Sequence, residues 1–155
     1  MTPRIDHRRV APDVAQAVSA MERVLERSPI DPQLRELMKV RASQIKEGGD
    51  CLDMHAEAAR AQGETEQRLY ALSPWHESPF FTDRERAALA WTEAVTDLTV
   101  RVPDTVYDLV RTHFSAAEVV YLTLAVMAIN AWNRLAVSLR TVPGSHRHES
   151  SGRET

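Results

Sequence analysis

The residues with the chemistry to form a reactive centre gather in one stretch, Glu36 to His55. It holds the single cysteine of the chain, Cys51. A histidine, His55, follows on the same segment, and a glutamate, Glu36, stands on the segment before it. Gly48, Gly49 and Asp50 break the apolar pattern just ahead of Cys51, which places the thiol in the first turn of a new helix. There the positive end of the helix dipole favours a thiolate, and an i,i+4 histidine lies on the same face. Asp50 and Asp53 work against the thiolate. Sulfur attack assisted by a neighbouring proton carrier is one chemistry for such a pair. The same pattern is open to a plainer interpretation, because free cysteine is commonly a small buried apolar residue.

The elements that must position these groups read as helices. Residues 1–12 are polar and basic and contain Pro3 and Pro12, the pattern of an extended arm. Asp13 is placed to cap a helix carrying Val14, Ala17, Val18, Met21, Val24 and Leu25 at helical spacing. Asp31 followed by Pro32 starts the next, with Leu34, Leu37, Met38, Ala42 and Ile45 on one side and Arg35, Lys39 and Lys46 elsewhere. Glu36 flanks that apolar stripe. Gly63 closes the helix that holds Cys51 and His55, and Glu64 or Thr65 opens a short segment with Leu69, Tyr70 and Leu72. The loop from Ser73 to Phe81 is aromatic enough that its rings are expected to be buried. Thr82 with Glu85, and Ser115 with Glu118, form capping boxes; between them Asp104 is placed to cap a helix ending near His113. The segment from Val119 to Leu139 is apolar almost all round until Asn130 and is expected to be the central buried helix. No segment reads as a strand. The expected fold class is all-α: an arm (1–12), one helical domain (13–144) and a polar, disordered tail (145–155).

Length and composition fit that organisation. With 155 residues, 43% of them hydrophobic and 26% charged, the chain suits one domain with a real core. A formal charge of −3 with no basic stripe gives no reason to expect nucleic acid. One cysteine fits a reducing compartment, the N-terminus lacks the apolar stretch of a signal peptide, and no run is expected to span a bilayer. The expected location is the cytoplasm.

Spacing and flanking residues together resemble the alkylhydroperoxidase D-like, or carboxymuconolactone decarboxylase-like, family. Its pattern is a glutamate, eleven residues, Cys-x-x-Cys, three residues and a histidine. Glu36 falls at the glutamate, Cys51 at the second cysteine and His55 at the histidine; Gly48 stands at the first cysteine. Arg41 to Ile45, Glu64 to Tyr70, Glu85 to Trp91 and Ile129 to Arg134 also read like the family, so the resemblance covers roughly residues 28–144. It implies a helical domain assembled as a trimer or hexamer. In dithiol members it implies a thiol-dependent peroxidase or disulfide reductase, in which the second cysteine attacks peroxide, the first resolves the sulfenic acid, and glutamate and histidine relay protons. Carried over, Cys51 is the attacking thiol and His55 and Glu36 the relay. No residue here can resolve, so an external thiol is the implied reductant.

Two other functions follow from the same residues. Family members without the dithiol act as decarboxylases or related lyases on small organic acids, and Glu36 and His55 would then do acid–base work with Cys51 dispensable. A non-catalytic oligomeric scaffold, with Cys51 as a redox-responsive thiol, is the third. No cofactor is expected. No metal is expected either: Cys51 and His55 are fewer ligands than zinc takes, and nothing in the sequence brings His76 or His113 near them. Asn130, Trp132, Asn133 and Arg134 are candidates to line a pocket, although Trp132 also suits the core and Arg134 a packing ion pair. His146 and His148 fall in the tail.

Overall fold

The computed structural model describes residues 2–144. All regular structure among the described residues is helical. The order is α1 (His7–Val10), α2 (Pro12–Glu26), α3 (Pro32–Ile45), α4 (Gly49–Ala61), α5 (Glu66–Ala71), a single 3-10 turn at Trp75–Glu77, α6 (Asp83–Thr96), α7 (Asp104–His113) and α8 (Ala116–Leu139). Local chemistry sets most of the starts. Asp31 accepts from the backbone N–H groups of Gln33 and Leu34, with Pro32 in the first turn of α3. Both capping boxes form, at Thr82/Glu85 and Ser115/Glu118. Gly63, at φ +94°, turns the chain after α4 in a conformation other residues rarely adopt.

Two local expectations change. His7–Val10 is helical, so the arm is not extended throughout; Asp6 accepts from Arg9 N–H and caps it. Asp13 and Asp104 lie inside the first turns of α2 and α7, where they complement the dipole, and Ala11 and Pro103 are the caps. α6 ends at Thr96, leaving Leu98 exposed. α8 ends at Leu139, as expected, and Arg140 closes it in the left-handed conformation. The tail at 145–155, with His146 and His148, lies outside the described residues.

α3 and α8 are the axis of the fold. α3 packs on α4, α6 and α8, and α8 packs on α2, α3, α4 and α6. The largest apolar cluster joins Leu25, Leu34, Met38, Trp91, Phe114, Leu122 and Val126. A second, of Leu37, Val40, Leu72, Trp75, Phe81 and Leu89, buries the aromatic loop as expected, except that Phe80 stays exposed. By length and mean hydropathy alone α8 is apolar enough to cross a membrane, against the sequence expectation. Its Val119, Leu122, Ala125, Val126 and Ile129 are instead spent on the core, while Val120, Met127 and Val137 face outward. A third cluster, Ala42, Cys51, Ile129 and Ala136, with Trp132 beside it, brings α3, α4 and α8 together around the thiol.

Candidate active site

Glu36 points inward. Its Oε2 lies 2.7 Å from His55 Nδ1, across the packed α3–α4 pair. Burial alone would raise the Glu36 carboxyl, but the hydrogen bond and charge of His55, with Lys39 and Arg35, outweigh it and hold Glu36 below the usual carboxylate range. An ionised carboxylate only accepts, so His55 Nδ1 must carry the proton of this bond. In neutral His55 the Nε2 atom is then the basic nitrogen, the arrangement in which an acid fixes tautomer and ring plane for a proton carrier.

Cys51 sits in the first turn of α4, as the glycines and Asp50 predict, and is 2% exposed. The thiolate expected there does not follow. Burial pushes the Cys51 thiol up to about 12, the charge of Asp50 acts in the same direction, and Arg8 opposes both. Desolvation among Ala42, Ile129 and Ala136, and an acidic neighbour at the helix start, overcome the dipole. Cys51 therefore rests as a protonated thiol.

Cys51 and His55 line one cavity of about 210 Å³, walled also by Met54, Trp132 and Ala136. Several of its residues were not singled out from the sequence, and His7, Lys39 and Glu22 among them carry titratable groups. His7, on α1, is 8% exposed and sets its ring 6.4 Å from that of Trp132. Lys39, placed by the sequence away from the apolar face, is buried: its Nζ is 2.6 Å from Glu22 Oε2 and 3.7 Å from Glu36 Oε1. Glu22, from α2, completes a chain of polar contacts, Glu22–Lys39–Glu36–His55. The i,i+3 spacing of Glu36 and Lys39 was a usable signal for Lys39. For His7 only the cap at Asp6 hints at order.

Gly48 is where the dithiol pattern has a cysteine. A Cβ built there would meet the Asn133 side chain, with Asn133 Cγ 3.0 Å away and Oδ1 closer. Asn133 is 1% exposed and its Nδ2 donates to Ser43 Oγ at 3.3 Å. Asn130 is also buried, donating to Thr96 Oγ1; with Asn133, the exposed Arg134 and Lys46 it lines a separate cavity of about 360 Å³, while Trp132 lines the Cys51 cavity. His76 stacks on Trp75 beside Glu93, and His113 ends α7; neither lines that cavity.

The remaining family-like stretches form supports. Arg41 Nε and Trp75 Nε1 both donate to Glu93 Oε1, at 2.8 and 2.7 Å, tying α3 and the aromatic turn to α6. Arg68 joins Glu64 and Glu85, at 2.6 Å each, and Arg86 donates to the carbonyls of Trp75, His76 and Ser78.

Known proteins share this arrangement of helices. Residues 12–94, which include Glu36, Cys51 and His55, match the carboxymuconolactone decarboxylase family. The chain is 39% identical over 140 residues to the uncharacterized protein YdfG of Bacillus subtilis, covering 90% of this chain and 95% of that one. It is 38% identical to a structure from Agrobacterium tumefaciens described as a putative antioxidant defence protein AhpD, with a TM-score of 0.89 over 92% of this chain and 98% of the other. A peroxidase-related protein from Silicibacter sp. TM1040, 23% identical, shares the fold with a TM-score of 0.76 over 86% and 71% of the two chains. The chain belongs to the carboxymuconolactone decarboxylase family and has its alkylhydroperoxidase D-like all-α fold.

Proposed function

We infer that the protein is a one-cysteine, thiol-dependent peroxide reductase in which Cys51 is deprotonated only as the peroxide reacts. The observation that carries this reading is the Glu36–His55 pair, a carboxylate on Nδ1 that leaves Nε2 basic, on the wall of the cavity that holds Cys51. A thiol at about 12 is ionised in only about one molecule in 10⁵ at neutral pH. A resting thiolate is therefore not the working species, and a base must act during attack. His55 takes the Cys51 proton as sulfur bonds to one peroxide oxygen. The O–O bond breaks, and the departing oxygen receives that proton, leaving an alcohol or water. The resulting sulfenic acid condenses with an external thiol, releasing water and forming a mixed disulfide. A second thiol frees Cys51 and departs in a disulfide with the first.

The raised thiol also favours a second reading. Glu36 and His55 then serve a lyase-type reaction on a small organic acid, and Cys51 is a buried bystander. One variant separates the two. Cys51→Ser should abolish peroxide consumption in the presence of excess small thiol. Equal consumption by parent and variant sinks the peroxidase reading, and turnover of an organic acid or lactone untouched by the substitution establishes the lyase.

A further inference from the structure

α1 brings to the cavity a residue absent from the glutamate–cysteine–histidine pattern. His7 is more than nine-tenths buried, and its Nε2 has no hydrogen-bond partner; the same is true of His55 Nε2. Both residues line the cavity that contains Cys51. An unpaired buried polar atom costs about 1–3 kcal/mol, so two such nitrogens around one cavity are hydrogen-bonding capacity that a small polar group can use.

The position of His7 is built. Arg4 N–H donates to the Leu139 carbonyl at 2.9 Å and Arg4 Nη1 to the Ser138 carbonyl at 3.0 Å, fastening the segment before α1 to the end of α8. Arg8 stands 5.5 Å from the centre of the Trp132 ring, beside the His7–Trp132 contact.

We propose that His7 is a substrate-contacting residue, its Nε2 and that of His55 together binding the hydroxyl of a small molecule with a compact apolar body. His55 Nε2, aprotic while Glu36 holds the Nδ1 proton, accepts from the hydroxyl; His7 donates its Nε2 proton to the same oxygen. Met54, Trp132 and Ala136 take the apolar body. A cavity of about 210 Å³ is a size that suits a short or single-ring molecule. This rests on the reading of Glu36–His55 as the working base. It adds to that reading a contact supplied by the N-terminal segment.

The test uses the full chain and cumyl alcohol, an unreactive hydroxyl compound of this shape, followed by ¹⁵N NMR of the histidine rings. The Nε2 signals of His7 and His55 should shift together and saturate, in the parent and in Cys51→Ser alike. His7→Phe, which keeps a ring against Trp132, should weaken binding about tenfold, and His7→Gln, which restores a donor, should recover to within about threefold. Stationary His7 signals at saturation, unchanged affinity in His7→Phe, or no binding overturns the proposal. If His7→Phe does not fold, the parent spectra and His7→Gln still decide. Peroxide consumption indifferent to Cys51→Ser, with both rings still shifting, removes the peroxide reading and leaves this one standing.

Discussion

Asn133 occupies the space that a side chain on Gly48 would need. The place of a resolving sulfur is thus filled from α8 by an amide that also donates to Ser43 on α3. A disulfide between positions 48 and 51 is blocked by packing as well as by composition.

Restoring a cysteine at this position should therefore not restore a dithiol cycle. Gly48→Cys forces Asn133 out of its site and should cost about 1–3 kcal/mol, the usual range for overpacking. Combining it with Asn133→Ala opens the space and should return part of the melting temperature. Thermal unfolding of the parent and the two variants checks this, and a Gly48→Cys protein as stable as its parent would show that the two residues are not in contact.

The thiol gives a second outcome. Alkylation of Cys51 by iodoacetamide should be much slower near neutral pH than that of an unperturbed cysteine at ~8.5, and its rate should keep rising toward a value of about 12. A folded-state value raised above the unfolded one favours the fold while the thiol is protonated. That contribution is complete below about 8.5 and is lost as the pH rises through the folded value. Cys51→Ala should accordingly flatten the alkaline fall in stability. An inflection at or below 8.5 would restore the activated thiol that the sequence led us to expect.

What the sequence disclosed and what it withheld separate along local and long-range lines. Capping at Asp31, Thr82 and Ser115, the apolar period of α8 and the break at Gly48–Asp50 are local, and each places an element correctly. His55 came from its i,i+4 spacing to Cys51 and the role of Glu36 from a family spacing, and the contact between them depends on how α3 packs on α4. The error over Cys51 has a clear cause. Dipole and i,i+4 arguments see the helix start, whereas the desolvation that dominates comes from Ala42 on α3 and Ile129 and Ala136 on α8. Lys39 and His7 were missed for the same reason: Glu22 and Trp132, which hold them, are distant in sequence.

Lys39 supplies a third prediction, as a positioning residue. Lys39→Met keeps the length of the side chain but removes the charge between Glu22 and Glu36. Two carboxylates then face each other without their cation, so the Glu36 carboxyl should rise and the acid limb of the activity profile should move to higher pH. Stability should fall on the order of 3 kcal/mol, the low end for a broken buried pair. Lys39→Arg, which keeps the charge, should retain the pH profile. A Lys39→Met profile that coincides with the parent's would remove Lys39 from the relay.

Glu36→Gln tests the relay at its centre. The amide nearly matches the carboxylate in shape, yet it can donate as well as accept, so the Nδ1 proton of His55 is no longer enforced and the charge that supports an imidazolium is gone. Activity should fall by about 10² to 10⁴, the span of general acid–base assistance, with little change in the far-UV spectrum. The same variant should alter acid stability in a defined direction. The Glu36 carboxyl lies below its ordinary value in the fold, so its ionised form favours folding. That contribution is present above about 4.3 and is lost as the pH falls through the lowered folded value. Glu36→Gln should be less stable than the parent at neutral pH, and the difference should shrink on acidification. If the two unfolding curves stay parallel across that range, the 2.7 Å contact to His55 carries no net charge interaction and the relay fails.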